Sequence, residues 1–168
     1  MKAFHLLKFF AEDRRGLATV EFALWGSLIF AGLLLSVDFA FFTLYKERLN
    51  RSVSEASLAA FSTKDNIDTA KIATYVSATA GLPKGAPTVT VRCNGASTCV
   101  NSNRTYACLS GSDGTFTTAA AANVVCSSGG LSGYYLTVSA SYSFQHIVMP
   151  NLFLDGRNMN ASATVRLQ

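Results

Sequence analysis

The sequence predicts an α+β protein: a long N-terminal transmembrane helix continuing into an amphipathic helix, followed by a small antiparallel-sheet head domain with disulfides. Three observations predict it. Sixteen consecutive residues from Phe22 to Val37 carry no charge, the apolar period shortens to two near Thr88, and all four cysteines fall in the second half. A chain of 168 residues with so uneven an apolar distribution fits one small domain plus a membrane helix. The divisions expected are a leader over 1–16, a transmembrane and stalk helix over 17–62, and an exported α+β head over 63–168.

Residues 1–16 (MKAFHLLKFFAEDRRG) set Lys2, Lys8, Arg14 and Arg15 against Glu12 and Asp13, which suits a short basic leader on the cytoplasmic side. Phe22 to Tyr45 follows, with Asp38 the only charge before Lys46. At ~1.5 Å per residue this is about 36 Å of helix, enough to cross a hydrocarbon core of ~30 Å with some tilt. A helix apolar all round for this length is not expected on a soluble surface. Asp38 lies about 25 Å along the helix from Glu21 and has two readings. It sits at the outer interface beside Lys46, or it makes an intramembrane contact with a partner helix. Phe39, Phe41, Phe42 and Tyr45 read as an interfacial aromatic belt, and Gly26 and Gly32 suit close helix approach.

Beyond the span, KERLNRSVSEASLAAF (46–61) keeps Leu49, Val53, Ala56 and Ala60 on one side and continues the helix. Polar residues 62–66 break it. DTAKIATYVSATAG (68–81) then reads as a second helix, ended by Gly81 and Pro83. Thr88–Cys93, Tyr134–Phe144 and Asn160–Leu167 alternate with a period of two and read as strands of one antiparallel sheet. Between them, Asn94–Gly133 reads as a long loop pinned by disulfides, with an edge strand at Thr105–Leu109 and a short helix at Thr117–Val125 from its run of alanines.

The net charge of +4 is scattered rather than gathered into a stripe, so no nucleic-acid partner is expected. Cys93, Cys99, Cys108 and Cys126 contain no C-x-x-C pair, which argues against a metal site and for disulfides in an oxidising compartment. Four cysteines allow three pairings; the short Cys93–Cys99 loop is able to close locally. Lys46, Arg48 and Arg51 nearly balance the leader's basic residues in the positive-inside count, so the cysteines decide orientation: leader inside, head in the periplasm. No cofactor and no catalytic set is expected. His5 lies in the leader, and His146 stands alone beside a strand end and reads as structural. Sequons at Asn50, Asn103 and Asn160 arise readily by chance.

The informative stretch is Arg14-Arg15-Gly16-Leu17-Ala18-Thr19-Val20-Glu21-Phe22: a small residue, an apolar helix, and a carboxylate five positions on. It resembles the processing motif of the type IV pilin superfamily, especially that of tight-adherence (Tad, Flp-type) pilins. The run Val20-Glu21-Phe22-Ala23-Leu24, the pair Asp38-Phe39, and the small residues Ala56, Ala59 and Ala60 further resemble the TadE-type minor pilins or pseudopilins. The resemblance covers about residues 16–62. It implies cleavage after Gly16 by a prepilin peptidase, a new N-terminus at Leu17, and neutralisation of that ammonium by Glu21, with Phe22 where major Flp pilins usually carry Tyr. It also implies a bacterial inner-membrane location, and as partners the membrane, other pilins and the Tad machinery. The competing expectations are a signal-anchored periplasmic binding module, and a protein secreted after cleavage near Ala56 to Ala60.

Overall fold

The computed structural model describes residues 16–111, 113–148 and 154–168; residues 1–15 of the leader, with His5 and the basic pair Arg14-Arg15, lie outside them. Helix α1 spans Leu17–Ser62, 46 residues without a break, or about 69 Å at ~1.5 Å per residue. Its two halves differ in surroundings. From Ala18 to Val37 nearly every side chain is exposed, whereas Asp38, Tyr45, Leu49, Val53, Ala56 and Ala60 are buried along one stripe at three- and four-residue spacings. The stripe is the helix face that fills the core of the head.

Helix α2, Thr69–Thr79, starts at Asp68, whose carboxylate accepts from the main-chain N–H groups of Ala70 and Lys71, each at 3.1 Å. It ends where Gly81 takes a left-handed φ of 57° that other residues resist. Five strands follow: β1 (Thr88–Cys93), β2 (Tyr106–Leu109), β3 (Phe116–Ala119), β4 (Tyr135–Ser143) and β5 (Asn158–Arg166). The main sheet has the order β1-β4-β5 and is antiparallel throughout. Alternation sorts its two faces. Leu136, Val138, Ala140, Tyr142, Met159 and Ala161 turn toward α1 and α2, while Thr90, Arg92, Thr137, Ser139, Ser162 and Thr164 turn away. Burying one Leu or Val on such a face contributes roughly 1.5–3 kcal/mol.

The second sheet, β2-β3, is a hairpin in the segment expected to be a long loop; β2 matches the edge strand expected at Thr105–Leu109, whereas β3 was not expected. Thr117–Val125 is not helical: Thr117–Ala119 belongs to β3, paired with β2, and the alanines that follow lie in turns. Strand pairing overrides the helix propensity of alanine there, as tertiary context commonly does. Two disulfides hold the region, Cys93–Cys99 and Cys108–Cys126, which resolves the choice among three pairings. Asn94, at a left-handed φ of 49°, joins the layers: its side chain donates to Thr105 O at 2.7 Å and accepts from Tyr135 N at 2.9 Å. Gly133 has no room for a Cβ, which would collide with the carbonyl of Gln168.

The contacts give the head two ends. Phe144, just after β4, packs edge-on against Phe42 at 5.3 Å and lies 6.2 Å from Tyr45, near the middle of α1. Asn101, beside the disulfides, accepts from Ile67 N at 2.7 Å, beyond the end of α1. The disulfide region therefore lies far along α1 from Asp38, by about 36 Å of helix.

Candidate functional site

Three regions carry chemistry that the core does not consume. At the helix start, Gly16 has helical dihedrals (φ −76°, ψ −21°) and, being a glycine, offers no side chain of its own to cap the first turn. Glu21 stands one turn beyond Leu17, and Phe22 is 80% exposed. Among the described residues, a Cβ added at Gly16 would meet nothing within 4 Å.

From there to Val37 the helix presents an uninterrupted apolar surface, including Trp25 (65% exposed) and Phe30 (69%). Such a surface far exceeds the apolar patches of soluble monomers and requires a cover, either lipid or other helices. Among the described residues α1 is the one helix long and apolar enough to cross a membrane. A Cβ added at Gly26 or at Gly32 would meet nothing within 4 Å among the described residues outside the helix's own turns.

The third region is the junction of helix and head. Asp38 is 1% exposed, and its Oδ1 accepts from the main-chain N–H groups of Ile147 and Val148, both at 3.1 Å. Asp38 lies four residues before Phe42 and seven before Tyr45, so it occupies the head-facing stripe and not the exposed side of the helix. The expected aromatic belt divides accordingly. Phe42 and Tyr45 pack against the head, while Phe39 and Phe41 stay exposed. The apolar stretch free of the head is therefore Ala18–Val37, earlier than the expected Phe22–Tyr45. Aromatic residues serving a core and a bilayer boundary share one sequence signature, which is why the outer limit differs.

Beside this junction, His146 donates its main-chain N–H to Asp155 at 3.2 Å, its ring Nδ1 stands 3.1 Å from the same oxygen, and Lys84 Nζ donates to His146 O at 2.9 Å. The His146 ring, and then its main-chain N–H, hold the Asp155 carboxyl below the usual carboxylate range. A carboxyl with a folded pKa below its unfolded value of ~3.9 contributes stability that is complete above that pH and disappears as the pH falls through the folded value. Acidification below about pH 4 should loosen the β4–β5 connection, and Asp155→Asn should remove that part of the acid response. Near-UV circular dichroism of the tyrosines against pH, in both proteins, measures it.

On the outer face of the main sheet, Thr137 and Thr164 hydroxyls meet at 3.0 Å, as do those of Ser139 and Ser162. Together with Arg92, Asn94 and the β2–β3 hairpin they line an open polar groove of about 1000 Å³. The structure does not bring the expected site residues together. Gly16, Leu17, Glu21 and Phe22 stand at the helix start, Asp38 at the junction, and the four cysteines at the far end of the head. The Asp38 contact escapes sequence reasoning; its position in the stripe through Phe42, Tyr45 and Leu49 is the available signal. No family model, curated protein or solved structure matches this chain.

Proposed function

We propose that this chain is a minor pilin or pseudopilin of a Tad (Flp-type) pilus, a structural or assembly component and not an enzyme. One observation supports the proposal: Gly16 directly precedes a helix whose first half, from Ala18 to Val37, is apolar and largely exposed and which holds Glu21 one turn in. A prepilin peptidase cutting after Gly16 would leave an ammonium at Leu17, and a charge at the end of an apolar helix is costly in hydrocarbon unless paired. Glu21 of a neighbouring subunit supplies that pair and sets the axial register of packed helices. The chain resides in the inner membrane with its head in the periplasm, or is drawn from there into an extracellular pilus. Its partners are the peptidase, other pilins and the Tad machinery. The size of the head, unlike the little-more-than-helix form of a major Flp pilin, supports a minor role.

Secretion by cleavage near Ala56 to Ala60 is disfavoured, because Ala56 and Ala60 are each 1% exposed and such a cut would strip the core of its helix. A membrane-anchored binding module is the second reading, favoured by the polar groove on the sheet. N-terminal sequencing and intact mass of the protein from its native host, with its peptidase present, separate the two. The expected species begins at Leu17; a chain that keeps residues 1–16 sinks the pilin reading. Glu21→Ala should still be cut yet fail to enter filaments.

A further inference from the structure

The junction places two apolar side chains of the head at the height where the exposed helix ends. Ala18–Val37 measures about 30 Å at ~1.5 Å per residue, which matches the thickness of a bilayer's hydrocarbon core. Asp38 is the next residue, and it grips the main-chain N–H groups of Ile147 and Val148. Those side chains are 41% and 39% exposed even though their backbone is tied down. Phe39 (58%) and Phe41 (36%) are exposed on the same turn of α1, and Leu34 and Leu35 continue the surface one turn toward the N-terminus. Lys84, held on the carbonyl of His146, supplies a cation beside the patch. Apolar and aromatic side chains with a cation at their rim are the composition of a surface seated at the headgroup–acyl boundary.

We propose that Ile147 and Val148, fixed to Asp38, form with Phe39 and Phe41 a shallow apolar foot on which the head rests in a phospholipid bilayer. The proposal rests on the membrane reading of α1 and adds a second lipid contact to it. The continuity of the foot with the exposed helix selects lipid as its occupant. Two bonds to a rigid helix fix the depth of the foot, so the head is held at a set height and tilt over the membrane and is not tethered loosely by α1 alone. Leaving the membrane for a filament would expose the foot or transfer it to a neighbouring subunit.

Trp25, the single tryptophan, lies within the exposed apolar stretch and is a built-in depth probe. The full chain is reconstituted in phosphatidylcholine–phosphatidylglycerol vesicles carrying bromine near the start or the end of the acyl chains. Trp25 emission should be quenched most by the deep bromines. In a Trp25→Phe background, Ile147→Trp and, separately, Val148→Trp should be blue-shifted and quenched by the shallow bromines, whereas Leu58→Trp, about 30 Å farther along α1, should not respond. Both head substitutions replace side chains already exposed, so the fold is spared. Quenching of Trp25 with none in either head variant overturns the foot while leaving the membrane helix standing. An unquenched Trp25 overturns the membrane reading itself. A blue shift that grows with protein concentration, without bromine quenching, assigns the patch to a second copy of the chain and also overturns the proposal.

Discussion

Asp38→Ala should destabilise the head by roughly 2–4 kcal/mol, since it strips two main-chain N–H groups of a charged acceptor in a place water does not reach. The carboxylate is 1% exposed and accepts from Ile147 and Val148. A hydrogen bond to a charged group contributes about 1.5–3 kcal/mol, and each buried donor left without a partner costs about 1–3 kcal/mol. Asp38→Asn keeps one oxygen in the same place and should lose less, about 1 kcal/mol. Unfolding of the full chain in detergent micelles, followed by near-UV circular dichroism, gives both values. Proteolysis within the β4–β5 connection should accelerate in step with them. An Asp38→Ala protein as stable as the parent would mean that the freed N–H groups find water, and that the junction is not the clamp its geometry describes.

Loss of both disulfides should abolish a stably folded head. Closing a loop with a sequence separation of 18, as Cys108–Cys126 does, is worth about 3 kcal/mol on loop-entropy grounds. The separation of 6 for Cys93–Cys99 gives about 2 kcal/mol. Their sum of about 5 kcal/mol reaches the lower end of the total stability of an ordinary domain. The β2–β3 hairpin is the vulnerable part, because a two-stranded sheet is marginal by itself and Ala107 is the one buried residue of these two strands. Cys108→Ala with Cys126→Ala should free the hairpin while the main sheet persists. Cys93→Ala with Cys99→Ala should act on the sheet itself, because Cys93 is 2% exposed at the end of β1 and belongs to the core. Hydrogen exchange resolves the two patterns: fast exchange confined to 106–119 in the first variant, and spread into β1 in the second. Uniform exchange in both would show that the head unfolds as one unit.

The helix, its continuation past Tyr45 and the edges of the main sheet were legible because they rest on local patterns. Residues 17–62 announce themselves by apolar length and then by the stripe Leu49, Val53, Ala56 and Ala60, a signal carried by three- and four-residue neighbours. The sheet strands announce themselves by alternation, and their limits moved by only a residue or two, β5 beginning at Asn158 where Asn160 was expected. The stretch Thr117–Val125 failed because its alanines favour helix in isolation, while its actual state is decided by pairing with Tyr106–Leu109 and by the bond from Cys108 to Cys126.

By itself the sequence determined a long helix over 17–62 with an apolar first part and an amphipathic second part, an antiparallel sheet and a disulfide-bearing head, because each follows from periodicity, composition or spacing within a few residues. Only the tertiary structure decided which cysteines pair, where the exposed helix stops and what Asp38 does. Pairing depends on which α-carbons approach within reach of a disulfide, 5.1 Å and 5.7 Å here, after the chain has turned back on itself. The acceptor role of Asp38 depends on partners 109 and 110 residues away, contacts that no local window of sequence contains. The charge for which the sequence left an outer-interface and a partner-helix reading open marks the place where the head closes over the helix.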